Sequence, residues 1–138
     1  MSDQELSQQL LHQRIRNRII EYLELAASAD EQREYERRAP MAHVPNEMIN
    51  QWEDWVNGDD LDWYGPPIFS DDERHALRSF NSVWLAVADE TPDPMPSSIE
   101  LLLGTPVWAR LMAEAQAALM VFEKRGRFDE EVEQRLDV

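Results

Sequence analysis

Three features of this chain predict an all-α fold, a compact single-domain bundle of about five or six helices. Apolar residues recur at three- and four-residue intervals over long stretches. Helix-start signatures stand before those stretches, and glycine or proline stands behind them. No segment alternates apolar and polar residues long enough to read as a strand.

The stretch from Thr105 to Arg125 organises the rest. Thr105 is an N-cap residue, and Pro106 follows where a missing N–H costs nothing. Trp108, Leu111, Met112, Ala115, Ala118, Leu119 and Phe122 form one face. Lys124 and Arg125 suit the negative end of the helix dipole, and Gly126 suits a left-handed stop. The small residues Ala113, Ala115, Ala117 and Ala118 let neighbouring helices approach, so this helix, 106–125, is expected at the centre.

The other elements follow in chain order. A first helix is expected over 3–28, opened by a capping box of Ser2 and Glu5. Leu6, Leu10, Leu11, Ile15, Ile19, Tyr22, Leu23 and Ala26 trace its apolar stripe. Arg14, Arg16 and Arg18 alternate around it, so they read as a solvated face neutralised by Glu21 and Glu24 rather than as a nucleic-acid contact. A charged helix over 31–38 follows, with Glu34 and Arg38 one turn apart. Pro40 and Pro45 mark a loop, in which His43 is an ordinary exposed residue. A helix over 46–57 buries Met48, Ile49, Trp52, Trp55 and Val56. Ser70 and Glu73 box the start of a helix over 71–88, with Ala76, Leu77, Phe80, Val83, Trp84 and Val87 inward. Three prolines between Thr91 and Pro96 make a connector. Ser97 and Glu100 cap a short helix over 98–103, and Phe128 anchors a last one over 129–136.

Composition narrows the function. The chain has 138 residues, enough for one core, and 43% of them are apolar, which argues for folding rather than disorder. It has no cysteine, which excludes a disulfide framework, a thiolate metal site and a thiol nucleophile. Met1 to Gln9 is polar and acidic, unlike a secretory signal, and no apolar run approaches the roughly 18–20 residues of a membrane span. A cytoplasmic protein is expected. Twelve arginines against one lysine, Lys124, point to a GC-rich coding sequence and a bacterial source.

Net charge is −15, which sets the chain against nucleic acid and anionic membranes as partners. The excess is concentrated. Residues 39–73 hold nine acids and no Lys or Arg, so more than half of the net charge lies in about a quarter of the chain. The same segment holds Trp52, Trp55, Trp63 and Tyr64. Helical spacing assigns Trp52 and Trp55 to the core, while Trp63 and Tyr64 stand in a loop beside glycine and prolines.

Other chemistries fit poorly. Asp60, Asp62, Gly65 and Asp71 fall at positions 1, 3, 6 and 12 of a calcium loop, but Tyr64 and Pro67 break it and position 12 lacks its Glu. The four glycines are turns and stops rather than a phosphate cradle. His12, His43 and His75 are far apart. Asp71, Asp72 and Glu73 are explained by helix capping rather than catalysis. No catalytic residue, cofactor or metal ligand is assigned.

The leading expectation is a non-catalytic interaction protein. It would be an inhibitor or immunity-type protein for a basic protein partner such as a nuclease toxin. Asp54, Asp59, Asp60 and Asp62 would steer that partner, with Trp63 and Tyr64 as anchors. A helical adaptor or regulatory subunit with a hydrophobic interface, self-association included, is the second expectation. A ligand- or metal-binding domain or enzyme with an acidic pocket is the third.

Overall fold

The computed structural model describes residues 7–136. Among these residues six α-helices follow in order: α1 (Gln8–Ala26), α2 (Ala29–Arg38), α3 (Val44–Trp55), α4 (Asp71–Glu90), α5 (Glu100–Leu103) and α6 (Pro106–Glu123). A single 3₁₀ turn, Leu61–Trp63, interrupts the link from α3 to α4. No strand occurs among the described residues. No helix among them is long and apolar enough to cross a membrane.

The organising helix is central. α6 packs on α4, α1 and α5, and α1 also packs on α2 and α3. Trp108, Leu111, Ala115, Ala118, Leu119 and Phe122 of α6 are all buried. Fully burying a large apolar side chain contributes about 1.5–3 kcal/mol, so this face makes a substantial contribution to folding. Thr105 caps α6, its hydroxyl accepting from the Trp108 N–H at 3.3 Å. The chain leaves the helix through Gly126 at φ +73°, a left-handed turn that strains any residue with a Cβ.

Each large polar core group finds a partner. Trp52 Nε1 donates to Asn81 Oδ1 at 2.9 Å, and Trp108 Nε1 to Gln32 Oε1 at 2.9 Å. Gln32 Nε2 in turn donates to the Leu25 and Ala26 carbonyls at 3.1 Å each, closing the end of α1. The Tyr22 hydroxyl donates to the Met48 carbonyl at 2.6 Å, and burial pushes its ionisation far up.

Helix starts differ from expectation in four places. α2 begins two residues early, at Ala29, because Ser28 caps it, accepting from the Glu31 N–H at 3.1 Å. The box on Ser2 and Glu5 lies outside the described residues, and α1 begins at Gln8, where Ser7 accepts from the Leu10 N–H at 3.0 Å. α3 begins two residues early, at Val44, because His43 Nδ1 caps the Asn46 N–H at 3.3 Å and Pro45 fits the first turn. α5 opens at Glu100 and is not boxed by Ser97: the Glu36 carboxylate from α2 accepts from the Ile99 N–H at 2.6 Å. The expected box on Ser70 and Glu73 forms.

Two expectations are overturned. Residues 129–136 are not helical. After the buried Phe128 the chain runs irregularly along α1, which supplies the hydrogen bonds a helix would have made internally. Asn17 grips both polar groups of Phe128, donating to its carbonyl at 2.7 Å and accepting from its N–H at 2.9 Å. Gln13 donates to the Asp129 and Val132 carbonyls at 2.7 and 3.0 Å and accepts from the Gln134 N–H at 2.9 Å. The Asp129 carboxylate accepts from the Glu131 and Val132 N–H groups, which turns the chain.

The second correction is Arg16. It is fully buried rather than solvated. Its guanidinium forks onto the Glu73 carboxylate, Nε to Oε1 at 3.1 Å and Nη2 to Oε2 at 2.8 Å. Arg125 approaches the same carboxylate at 2.6 and 3.0 Å. The Phe128 ring covers both guanidinium groups, 3.9 Å from that of Arg16 and 5.0 Å from that of Arg125. Arg18 does lie at the surface with Glu21 at 3.3 Å, as expected.

Candidate partner-binding surface

Three elements bring the acidic segment into shape. α3 ends at Trp55, and Val56 turns inward to the core. Asn57 then starts a tight loop, its side chain accepting from the Asp59 N–H at 3.0 Å and its carbonyl from the Asp60 N–H at 3.1 Å. Tyr64 closes the loop from inside. Its hydroxyl donates to the Trp55 carbonyl and accepts from the Asn57 N–H, each at 2.8 Å.

Trp63 is clamped to α1. Its indole stacks on the His12 ring with centroids 3.7 Å apart and planes within 18°. The His12 ring nitrogens lie 2.7 Å from the Gln8 carbonyl and 3.0 Å from the Trp63 carbonyl. The clamp holds the 3₁₀ turn against the first helix.

Between these parts lies an open groove of about 310 Å³. Leu11 and Ile15 of α1 line it with the half-buried indoles of Trp55 and Trp63. Glu53, Asp54 and Asp60 supply its charge, and all three are exposed. Among the described residues, none of these carboxylates is in an ion pair, although eleven of the thirteen Lys and Arg residues are. The bases of this chain are consumed elsewhere, and the groove keeps its negative charge.

The six residues expected to meet a partner are therefore divided. Asp54, Asp60 and Trp63 line the groove. Tyr64 also borders it but is 3% exposed, so it supports the loop and is not a free anchor. Burial is the main cause that raises its ionisation, and the nearby Asp60 charge adds to it against the Asn57 N–H. Asp59 lies in an adjoining hollow, which shares Glu53 and Asn57 with the groove and is bordered by Asn81, Trp84 and Leu85. Asp62 turns to α4 and pairs with Arg78 at 2.5 Å. Of the acids in the calcium pattern, Asp62 is thus engaged by Arg78, and Asp71 has Arg74 at 3.8 Å.

Trp55, Glu53, Leu11 and Ile15 line the groove without a sequence signal that marks them as site residues. Helical spacing placed Trp55 in the core, and it is half-buried because α3 ends there. Glu73, one of the nine acids, leaves the surface altogether for Arg16 and Arg125. Burial alone would raise its carboxyl, but hydrogen bonds from Arg125 and Arg16, the Arg16 charge and the Ser70 N–H hold it below the ordinary range.

Comparison with family models, curated proteins and solved structures gives no match.

Proposed function

We propose that this chain is a non-catalytic interaction protein that binds a basic protein partner through the acidic face around Glu53, Asp54 and Asp60. An inhibitor or immunity-type role fits that chemistry, with a nuclease toxin as a suitable target. The observation that supports the reading is the unpaired charge of these three carboxylates around two half-buried indoles, in a chain whose bases are nearly all engaged. Uncompensated carboxylates steer a basic partner and speed its approach, while indoles supply contact area that gains from burial. A basic cleft evolved for nucleic acid would meet a surface of the same charge sign as its substrate. Acting from the bacterial cytoplasm is consistent with such a role and is part of the proposal.

The large exposed apolar residues stand on different elements: Met41 before α3, Leu85 on α4, Leu101 on α5, Met120 on α6 and Val132 near the end.

The test is the salt dependence of association with a protein captured at low ionic strength. The proposal expects the association rate to fall steeply as salt rises, since exposed charges are screened over about 8–10 Å near physiological salt. A rate indifferent to salt would turn the reading toward a hydrophobic adaptor.

A further inference from the structure

The groove does not end at Asp54. A second hollow of about 350 Å³ continues along the seam of α1 and α3, bordered by Glu21, Tyr22, Leu25 and Glu47. The two hollows share Asp54 and Trp55. Trp55 therefore stands at the middle of one seam, with Glu47, Glu53, Asp54 and Asp60 along it. One base lies in the seam, Arg18, and it is tied to Glu21 and Glu130.

The chain already shows what such a set of groups holds. In the core the Arg16 guanidinium lies 3.9 Å from the Phe128 ring centroid and 2.8 Å from the Glu73 carboxylate. An aromatic face beside a carboxylate suits a planar, weakly hydrated guanidinium, which stacks and forks at once. A lysine ammonium gains the charge but neither the stacking plane nor the fork. The seam presents the same pair of chemistries outward, Trp55 beside Asp54 and Trp63 beside Asp60, and no guanidinium of this chain pairs with either acid among the described residues.

We propose that the α1–α3 seam is the docking site for an arginine-rich segment of the protein partner, with one guanidinium stacked on Trp55 and held by Asp54. This inference rests on the acidic-interaction reading and adds the chemistry of the segment and the place it lies. The two hollows on either side of Trp55 accommodate neighbouring side chains of one segment.

The test is calorimetric titration of the intact chain, at low ionic strength, with an arginine peptide and a lysine peptide of equal length. The arginine peptide is expected to bind about tenfold more tightly, the equivalent of one well-placed stacked contact. Trp55→Ala and Asp54→Asn are each expected to weaken it by about five- to tenfold. Trp55→Phe keeps an aromatic face and is expected to retain most of the affinity. Glu133→Gln, away from the seam, is expected to change it by less than about twofold. Circular dichroism of each variant separates lost binding from lost folding. Equal affinity for the two peptides with no effect of Trp55→Ala would overturn the docking site, yet leave the acidic-partner reading standing if basic proteins are still captured. Binding of neither peptide would also overturn it, and the wider reading falls as well only if the wild-type chain captures no basic protein.

Discussion

Arg16 and Glu73 meet head-on in the core, 57 residues apart in sequence and 2.8 Å apart in space, with both side chains withdrawn from water. Arg125 and the Phe128 ring complete the cluster. It ties α1, the start of α4, the end of α6 and the terminal segment together. Removing one partner of a buried pair leaves the other charge stranded. Arg16→Ala is therefore expected to cost about 3–5 kcal/mol, read as a shift in the urea midpoint. A loss below about 1 kcal/mol would mean that Arg125 alone satisfies Glu73.

The same cluster makes part of the stability depend on pH in acid. The Glu73 carboxyl is held below its unfolded value, so it binds fewer protons folded than unfolded as pH falls. Its contribution is fully present above the unfolded value, about pH 4.3, and is lost as pH drops through the folded value. Glu73→Gln should flatten the acid limb of stability against pH in that window. An unchanged limb would place the acid sensitivity in other carboxylates.

Asn17 holds the terminal segment by both polar groups of Phe128. Asn17→Ala leaves a buried N–H and carbonyl without partners, at a cost on the order of 2–3 kcal/mol. Amide exchange in 127–136 should quicken well before that of α6. Exchange that quickens equally in both would show the segment and α6 opening as one unit.

Tyr64 supports the groove from beneath. Tyr64→Phe removes two hydrogen bonds to Trp55 and Asn57 and is expected to cost about 1–2 kcal/mol. It should loosen the 56–63 loop and weaken partner binding without altering the apolar packing. Unchanged exchange protection in that loop would assign its order to the His12–Trp63 stack instead.

The helices were legible because capping, periodicity and stop residues agreed. Thr105 and Pro106 mark the observed start of α6, and Gly126 stands three residues past its last residue, Glu123. The terminal segment was not legible. Its acidic run resembles a helix, but its backbone is satisfied by Gln13 and Asn17, more than a hundred residues away in the chain. The burial of Arg16 is hidden for a similar reason: alternate arginines look solvated until a distant carboxylate, here Glu73, is brought over one of them. The acidic segment was visible as composition. Its division into a groove at Asp54 and Asp60, a hollow at Asp59 and a paired Asp62 depends on the loop that Tyr64 folds back.

We propose that the α3–loop carboxylates recruit a basic protein. The direct measurement is capture from a lysate of the source cells at low salt with three baits side by side, followed by mass spectrometry. The baits are wild type, Asp54→Arg with Asp60→Arg, and Glu131→Arg with Glu133→Arg. One basic protein is expected on the wild-type and Glu131/Glu133 baits and not on the Asp54/Asp60 bait. Equal retention on all three, or a partner that stays bound at high salt, would contradict the proposal.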